Sequence, residues 1–221
     1  MIELISIHIA KTGGRSFYEI LKNEYGDRLD PRTSRLDYFP GKDYNNALID
    51  RIDDNITVLH GHLHYRHITD IHLKYNSKIV AWLRDPVERV ISNYYYMIGR
   101  VNETGFEHPH YRKRNYSLIE YSVDSVPNKM SKCLKGIPLE ELFFYGFQES
   151  FKDDVKVLAN KLGWTKEIPD IQLNISSDFD SYDSAPTRKK DISQAMREEI
   201  AAINQKDIKL FEEAKRLKKI I

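Results

Sequence analysis

The chain has 221 residues, a length that predicts a single domain, and its 41% apolar and 30% charged residues fit a folded protein with a real core. Thirty-four Lys and Arg stand against 33 Asp and Glu, a formal charge of +1, which argues against a nucleic-acid binder working through global positive charge and makes any anion site a local feature. The single cysteine, Cys133, excludes an internal disulfide and a zinc site built from thiolates, and points to a reducing compartment.

Met1 to Ile9 has neither a basic leader nor a long apolar run, so it reads as a buried strand rather than a signal peptide or anchor. That strand, Glu3 to Ala10, runs into Lys11-Thr12-Gly13-Gly14-Arg15-Ser16. A helix with apolar Phe17, Ile20, Leu21 and Tyr25 follows and stops at Gly26. Asp30-Pro31 and Pro40-Gly41 bracket a polar connection, with a weak helix expected over 44–52. Ile56 to Leu59 predicts a second strand leading into His60-Gly61-His62-Leu63-His64, and Lys78 to Arg84 a third. Asp85-Pro86-Val87-Glu88 is a helix start, with Asp as cap, Pro at the first position and Glu three residues after the cap. The helix it opens is expected to run towards Ile98. From Gly99 to about residue 127 the periodicity is lost, which predicts a long irregular excursion. A short helix through Cys133, a strand over Leu142–Phe147, a helix over Phe151–Leu162 closed by Gly163, and one long surface helix over Ile192–Leu217 complete the chain. Strands alternating with helices imply an α/β fold with a mostly parallel central sheet flanked by helices.

In such sheets ligands sit beyond the carboxyl ends of the strands, where Lys11 to Ser16 falls. Two glycines admit an anion to backbone N–H groups, the helix N-terminus favours negative charge, Thr12 and Ser16 carry hydroxyls and Lys11 a point charge. The order differs from the nucleoside-triphosphatase loop, which ends in Lys-Ser/Thr after an earlier glycine. Arg84 at the end of the third strand and Ser92 two turns into the next helix can face the same rim and share an anion; the other reading is an Arg84 paired with Asp85 or Glu88 and a Ser92 on the helix surface. His60, His62 and His64 recur at period two, so an extended strand would present all three on one face. Two uses fit that row: a metal site, although the metallohydrolase pattern H-x-H-x-D-H is not met, or a general base for a hydroxyl. Arg112, Lys113 and Arg114, interleaved with Tyr111, Tyr116, His108 and His110, could hold an anionic acceptor, with His60 and His64 as further acceptor contacts. Arg188-Lys189-Lys190 is a further basic run.

His8 to Phe17 resembles the 5′-phosphosulfate loop of sulfotransferases that use 3′-phosphoadenosine 5′-phosphosulfate (PAPS), particularly the carbohydrate branch. Leu83 to Tyr96 is similar to that family's 3′-phosphate segment. Asn128 to Leu134, Tyr145 to Phe151 and Ile203 to Phe211 also look familial, so the likeness spans nearly the whole chain. Arg15 stands where the family more often has a small residue, commonly Thr. His60-Gly61-His62 resembles the segment that supplies the base in uronyl 2-O-sulfotransferases.

The resemblance implies that Lys11, Thr12, Gly13, Gly14, Arg15 and Ser16 bind the 5′ side of PAPS, and that Arg84 and Ser92 bind its 3′-phosphate. It further implies that His62 is the base with His60 as helper, that Lys11 offsets charge on the leaving group, and that no metal is needed. The expected reaction is sulfuryl transfer to an acceptor hydroxyl, of a carbohydrate or a small molecule, releasing 3′-phosphoadenosine 5′-phosphate (PAP). The expected setting is a single compact domain, cytoplasmic and bacterial, with no nucleic-acid partner and no membrane insertion. A small-molecule kinase, a His-row metallohydrolase and a non-catalytic nucleotide-binding module are the alternatives.

Overall fold

The computed structural model describes residues 1–30, 52–125, 127–170 and 185–219. The weak helix expected at 44–52 and most of the polar stretches 31–41 and 170–186 lie outside them. The chain divides into two compact units, Met1–Leu83 with Met130–Leu173, and Arg84–Lys129 with Asn174–Ile221.

The first unit is built on four parallel strands, β1 (Leu4–Ile7), β2 (Val58–Gly61), β3 (Lys78–Leu83) and β4 (Phe144–Phe147), in the order β2-β1-β3-β4. The sheet is all-parallel, as the strand and helix alternation predicts. Its strands are short and almost wholly buried because parallel sheets are covered on both faces. Register pairs Ser6 with His60 and Ile7 with Gly61 across β1 and β2, and Trp82 with Gly146 across β3 and β4. A Cβ on Gly146 would lie 2.2 Å from the Trp82 ring, so only glycine lets that indole lie against the neighbouring strand.

Helix α1 (Gly14–Tyr25) buries Phe17, Ile20 and Leu21 against Leu4, Val58 and Val80. Its last turn is anchored by Lys166 Nζ, which donates to the carbonyls of Asn23 and Glu24, and by Trp164 Nε1, which donates to Tyr25 Oη. Helix α2 (Thr69–Tyr75) precedes β3.

The second unit opens with helix α3 (Pro86–Thr104), capped as its sequence predicts: Asp85 Oδ1 accepts from the Val87 and Glu88 amides at 2.9 and 3.0 Å. The helix runs one and a half turns past Ile98, because buried Gly99 and Val101 continue its apolar face. The excursion expected after residue 99 is therefore largely helical. Two 3₁₀ turns lead to helix α4 (Leu118–Asp124), whose Ser117 and Glu120 form a capping box that the surrounding basic and aromatic residues obscure in the sequence. The short helix α5 (Lys129–Cys133) follows, all but its first residue belonging to the first unit. The single C-terminal helix expected over 192–217 is two, α7 (Gln194–Ile203) and α8 (Gln205–Lys218), divided at Asn204. Asn204 is buried because its side chain is spent on the break. Its Oδ1 accepts from the Asn128 amide, and Asn128 Oδ1 in turn accepts from the Lys206 and Asp207 amides that open α8.

Helix α6 (Phe151–Leu162), ended by Gly163 in the left-handed region, packs on β4 in the first unit, within the bounds its sequence predicts. Its entry is held by buried Asp154, whose Oδ2 accepts from the Phe147 amide at 2.7 Å and the Ser150 hydroxyl at 2.8 Å. This sets Phe151 against Trp82, at 4.5 Å between ring centroids, and beside Gly13. Hydrogen bonds to a charged acceptor contribute more than neutral ones, so Asp154→Ala is expected to cost about 2 kcal/mol. The expected readout is a lower urea midpoint at unchanged m-value, with part of the loss recovered in Asp154→Asn.

Candidate active site

Three elements of the first unit meet at the carboxyl ends of β1 and β2. The first is the turn from β1 into α1. Lys11 has φ 69° and Gly13 φ 93°, so two residues of three are left-handed and α1 begins at Gly14 with no side-chain cap on its first turn. For Lys11, which carries a Cβ, that conformation costs about 1–2 kcal/mol. Left-handed residues leading into an uncapped helix start are the kind of backbone that can form a concave amide arrangement for an anion. Thr12 is fully buried and its hydroxyl donates inward to the Ile9 carbonyl at 2.8 Å. It is the brace of the turn, and the donor expected from its side chain is spent there. Ser16 is buried in the first turn of α1, Arg15 is exposed and Lys11 is partly exposed.

The second element is the end of β2. The period-two row does not persist, because β2 stops at Gly61 and the chain bends: the Gly61 carbonyl accepts from both the His8 and Leu63 amides at 2.7 Å. His60 is left in the strand and is 1% exposed, with Nδ1 2.9 Å from the Ser6 hydroxyl. It is enclosed in the sheet beside Ser6, unlike the more open position of His62. His62 sits past the bend, half-buried, with Nδ1 2.9 Å from the His8 carbonyl. A carbonyl only accepts, so Nδ1 carries the proton and, in the neutral ring, Nε2 carries the lone pair. His64 leaves the row and lies beside His67, at 5.2 Å between centroids.

The third element is His8, one residue past β1, which composition alone left unremarked. Its ring stacks on His62 at 4.1 Å and 22° and lies near-parallel to His60 at 5.0 Å and 25°. Its place was recoverable from sequence only by joining two strands: with Ser6 beside His60, the parallel register puts His8 beside His62.

These rings differ in how readily they charge. Burial, and then the neighbouring His62 charge, lower His60 to about 3, against a weaker opposing contribution from the Gly14 backbone. His8 is held well below the ordinary imidazole value by burial first, then by His60, His62, Lys11 and Arg15. Among the described residues no group of His, Cys, Asp or Glu is placed to hold a metal ion.

In the second unit, Arg84 directly follows β3 and is half-buried, and Ser92 lies on the buried side of α3. One turn before Ser92, buried Arg89 faces buried Asp207 with Nε 4.0 Å from its carboxylate. Of the basic cluster, Lys113 is buried and paired with Asp124 at 2.6 Å, and that hydrogen bond holds the Asp124 carboxyl below its usual range. Arg114 lies over the Tyr111 ring at 4.2 Å, while Arg112 is exposed. Arg188, in the other basic run, pairs with Asp191.

The sequence profile of the sulfotransferase family matches residues 2–212. The chain belongs to the sulfotransferase family. Among solved structures, this sulfotransferase is similar to a sulfotransferase from Alicyclobacillus acidocaldarius, at 17% identity and a TM-score of 0.51, covering 94% of this chain and 92% of that one. It is also similar to the mouse sulfotransferase SULT7A1 in complex with PAP, at 13% identity and a TM-score of 0.48, over 75% of this chain and 59% of that one. No curated protein matches it. No helix among the described residues is long and apolar enough to cross a membrane.

The depressed imidazoles make stability depend on pH. Between about 3 and the unfolded value of 6.5, the unfolded chain binds a proton at residue 60 that the folded chain refuses. Stability therefore falls as pH drops through that window, by at most about 1.4 kcal/mol per pH unit for each such imidazole. His60→Gln is expected to flatten part of the decline in urea midpoint between pH 7 and pH 4; an unchanged slope would assign the decline to other groups.

Proposed function

We propose that the protein transfers the sulfuryl group of PAPS to an acceptor hydroxyl, of a carbohydrate in the leading reading, with His62 as general base. One observation carries this reading: the His62 ring, with Nδ1 committed to the His8 carbonyl, is joined by a single stacked side chain to the glycine turn that opens α1. A proton acceptor thus lies beside an anion-binding turn, the two functions that sulfuryl transfer to a hydroxyl requires.

The residues suit the donor. The left-handed turn at Lys11 and Gly13 and the uncapped start of α1 would hold the 5′-phosphosulfate, and Lys11 brings positive charge to the same turn. The resemblance assigns the 3′-phosphate to Arg84 and Ser92. PAPS supplies the activated sulfuryl group. His62 Nε2 takes the proton of the acceptor hydroxyl as its oxygen bonds to sulfur, and the bond from sulfur to the 5′-phosphate oxygen breaks. Lys11 offsets the charge that this oxygen gains, and PAP departs. Acceptor contacts fall to Arg112, Lys113, Arg114 and His64; the pairing of Lys113 with Asp124 leaves Arg112 and Arg114 as the stronger choices. A bacterial, cytoplasmic setting is part of the same proposal.

Calorimetry with PAP tests the donor assignment, with weaker binding expected in Lys11→Ala, Arg84→Ala and Ser92→Ala. Unchanged affinity in all three would sink it. A screen of glycans and small alcohols with labelled PAPS tests the reaction. His62→Ala is expected to lower transfer on the order of 100- to 1000-fold or more while PAP still binds. Equal loss of binding and turnover would remove His62 from the base role, and PAP binding without transfer to any acceptor would favour a non-catalytic module.

A further inference from the structure

The His8 imidazole has no part in the scheme above, yet it is the piece through which the base and the phosphate turn touch. Its backbone carbonyl is 2.9 Å from His62 Nδ1 and its ring lies 4.1 Å from the His62 ring at 22°. Its third contact is with the phosphate turn. A Cβ on Gly14 would lie 1.9 Å from His8 Cδ2 and 2.1 Å from Nε2, so this ring occupies the space that a side chain at position 14 would need. Gly14 is helical and buried, with φ outside the left-handed region, so backbone conformation does not demand glycine there. The His8 ring does.

We propose that His8 is a positioning residue: its carbonyl and ring together hold His62 in the Nδ1–H form with Nε2 as the proton acceptor, and Gly14 is glycine to admit that ring. The claim rests on the proposed function only where it calls His62 the base; the clamp itself is a statement about two side chains and a glycine. The carbonyl hydrogen bond is made to one atom of the His62 ring and does not by itself set the tilt of the ring about that atom. A flat neighbour over its face removes that tilt. The neighbour must also stay uncharged when His62 gains a proton, and the groups facing His8 see to this: His60 and His62 from β2 and its bend, and Lys11 and Arg15 from the turn, together with burial, disfavour a charge on its ring.

Nitrogen-15 NMR of the histidine rings reads the clamp without any substrate. In the native protein His62 is expected to show a proton-bearing Nδ1 and a lone-pair Nε2. His8→Ala should lose that signature, since the stacked ring is gone, whereas His8→Phe, which keeps a flat ring, should retain it. Gly14→Ala should reproduce the His8→Ala spectrum, because its methyl displaces the ring, and the double variant should be no worse than His8→Ala alone. In transfer assays His8→Ala should lower turnover on the order of 100-fold, the cost of a catalytic group displaced by about 1 Å, with PAP affinity unchanged. His8→Phe should restore most of that turnover. An unaltered Nδ1–H signature in His8→Ala overturns the proposal, as does a Phe variant indistinguishable from Ala. If His8→Ala does not fold, Gly14→Ala against His8→Phe decides the same question. Should the protein prove to transfer no sulfuryl group, the spectra still judge the clamp, so the two failures are distinct.

Discussion

The candidate site depends on the parallel register of β1 and β2, which continues one residue beyond the ladder through the His8 amide and the Gly61 carbonyl. That carbonyl takes a second hydrogen bond, from Leu63, and so bends the chain at the point where β1 is about to turn into α1. The consequences follow from geometry. His60 is drawn into the sheet beside Ser6, His62 is swung out beside His8, and the His8 ring is laid over Gly14. A register shifted by one residue would reverse which side chains face the core and which face the site. The buried apolar faces of Leu4, Val58 and Val80 oppose such a shift.

Much of this arrangement was legible in the sequence, because its local signals are strong. A glycine pair after a buried β-branched run, Asp-Pro before a helix, and Gly163 after an amphipathic stretch each report a backbone requirement at one point, and the turn at 11–16, the cap of α3 and the span of α6 follow. The histidine row was misplaced for a physical reason: period two applies only while the chain stays extended, and nothing within His60-Gly61-His62 announces that a carbonyl shared by two amides ends the strand at Gly61. His8 had no support beyond composition because its contact with His62 spans 54 residues. Likewise the break at Asn204 is stabilised by Asn128, a contact across 76 residues that no helical periodicity registers. These three readings failed on contacts between segments distant in sequence, whereas the helical content of 99–124 was hidden by local signals, an apolar face continued by Gly99 and Val101 and a capping box at Ser117 and Glu120.

The second unit shows how a chain with a net charge of +1 can keep cations where they are wanted. Several of its basic side chains are already paired: Arg89 faces Asp207, Lys113 is bound to Asp124, Arg188 to Asp191, and Arg197 to Glu88. The first two pairs each contain a buried cation, and removing one partner from such a pair is far more damaging than its absence from the outset would be. They are therefore read as architecture. The basic run at 112–114, which looks in sequence like one recognition patch, resolves into three different jobs, with Lys113 buried as a tie, Arg114 laid on an aromatic face and Arg112 left in solvent.

Under the proposed function, the same economy explains why the site would use both His62 and Lys11. Three imidazoles, with His8 against both His60 and His62, could serve as a positive patch for an anionic donor only by carrying protons, and a protonated ring cannot then accept one from a hydroxyl. Burial settles this conflict by keeping His8 and His60 uncharged. The positive charge would be supplied instead by Lys11 and Arg15, together with the backbone amides at the start of α1. Charge and proton acceptance are thereby given to different residues of one turn and one bend. On the proposed reading, a donor held at the turn would thus keep its electrostatic support while His62 took up the acceptor's proton.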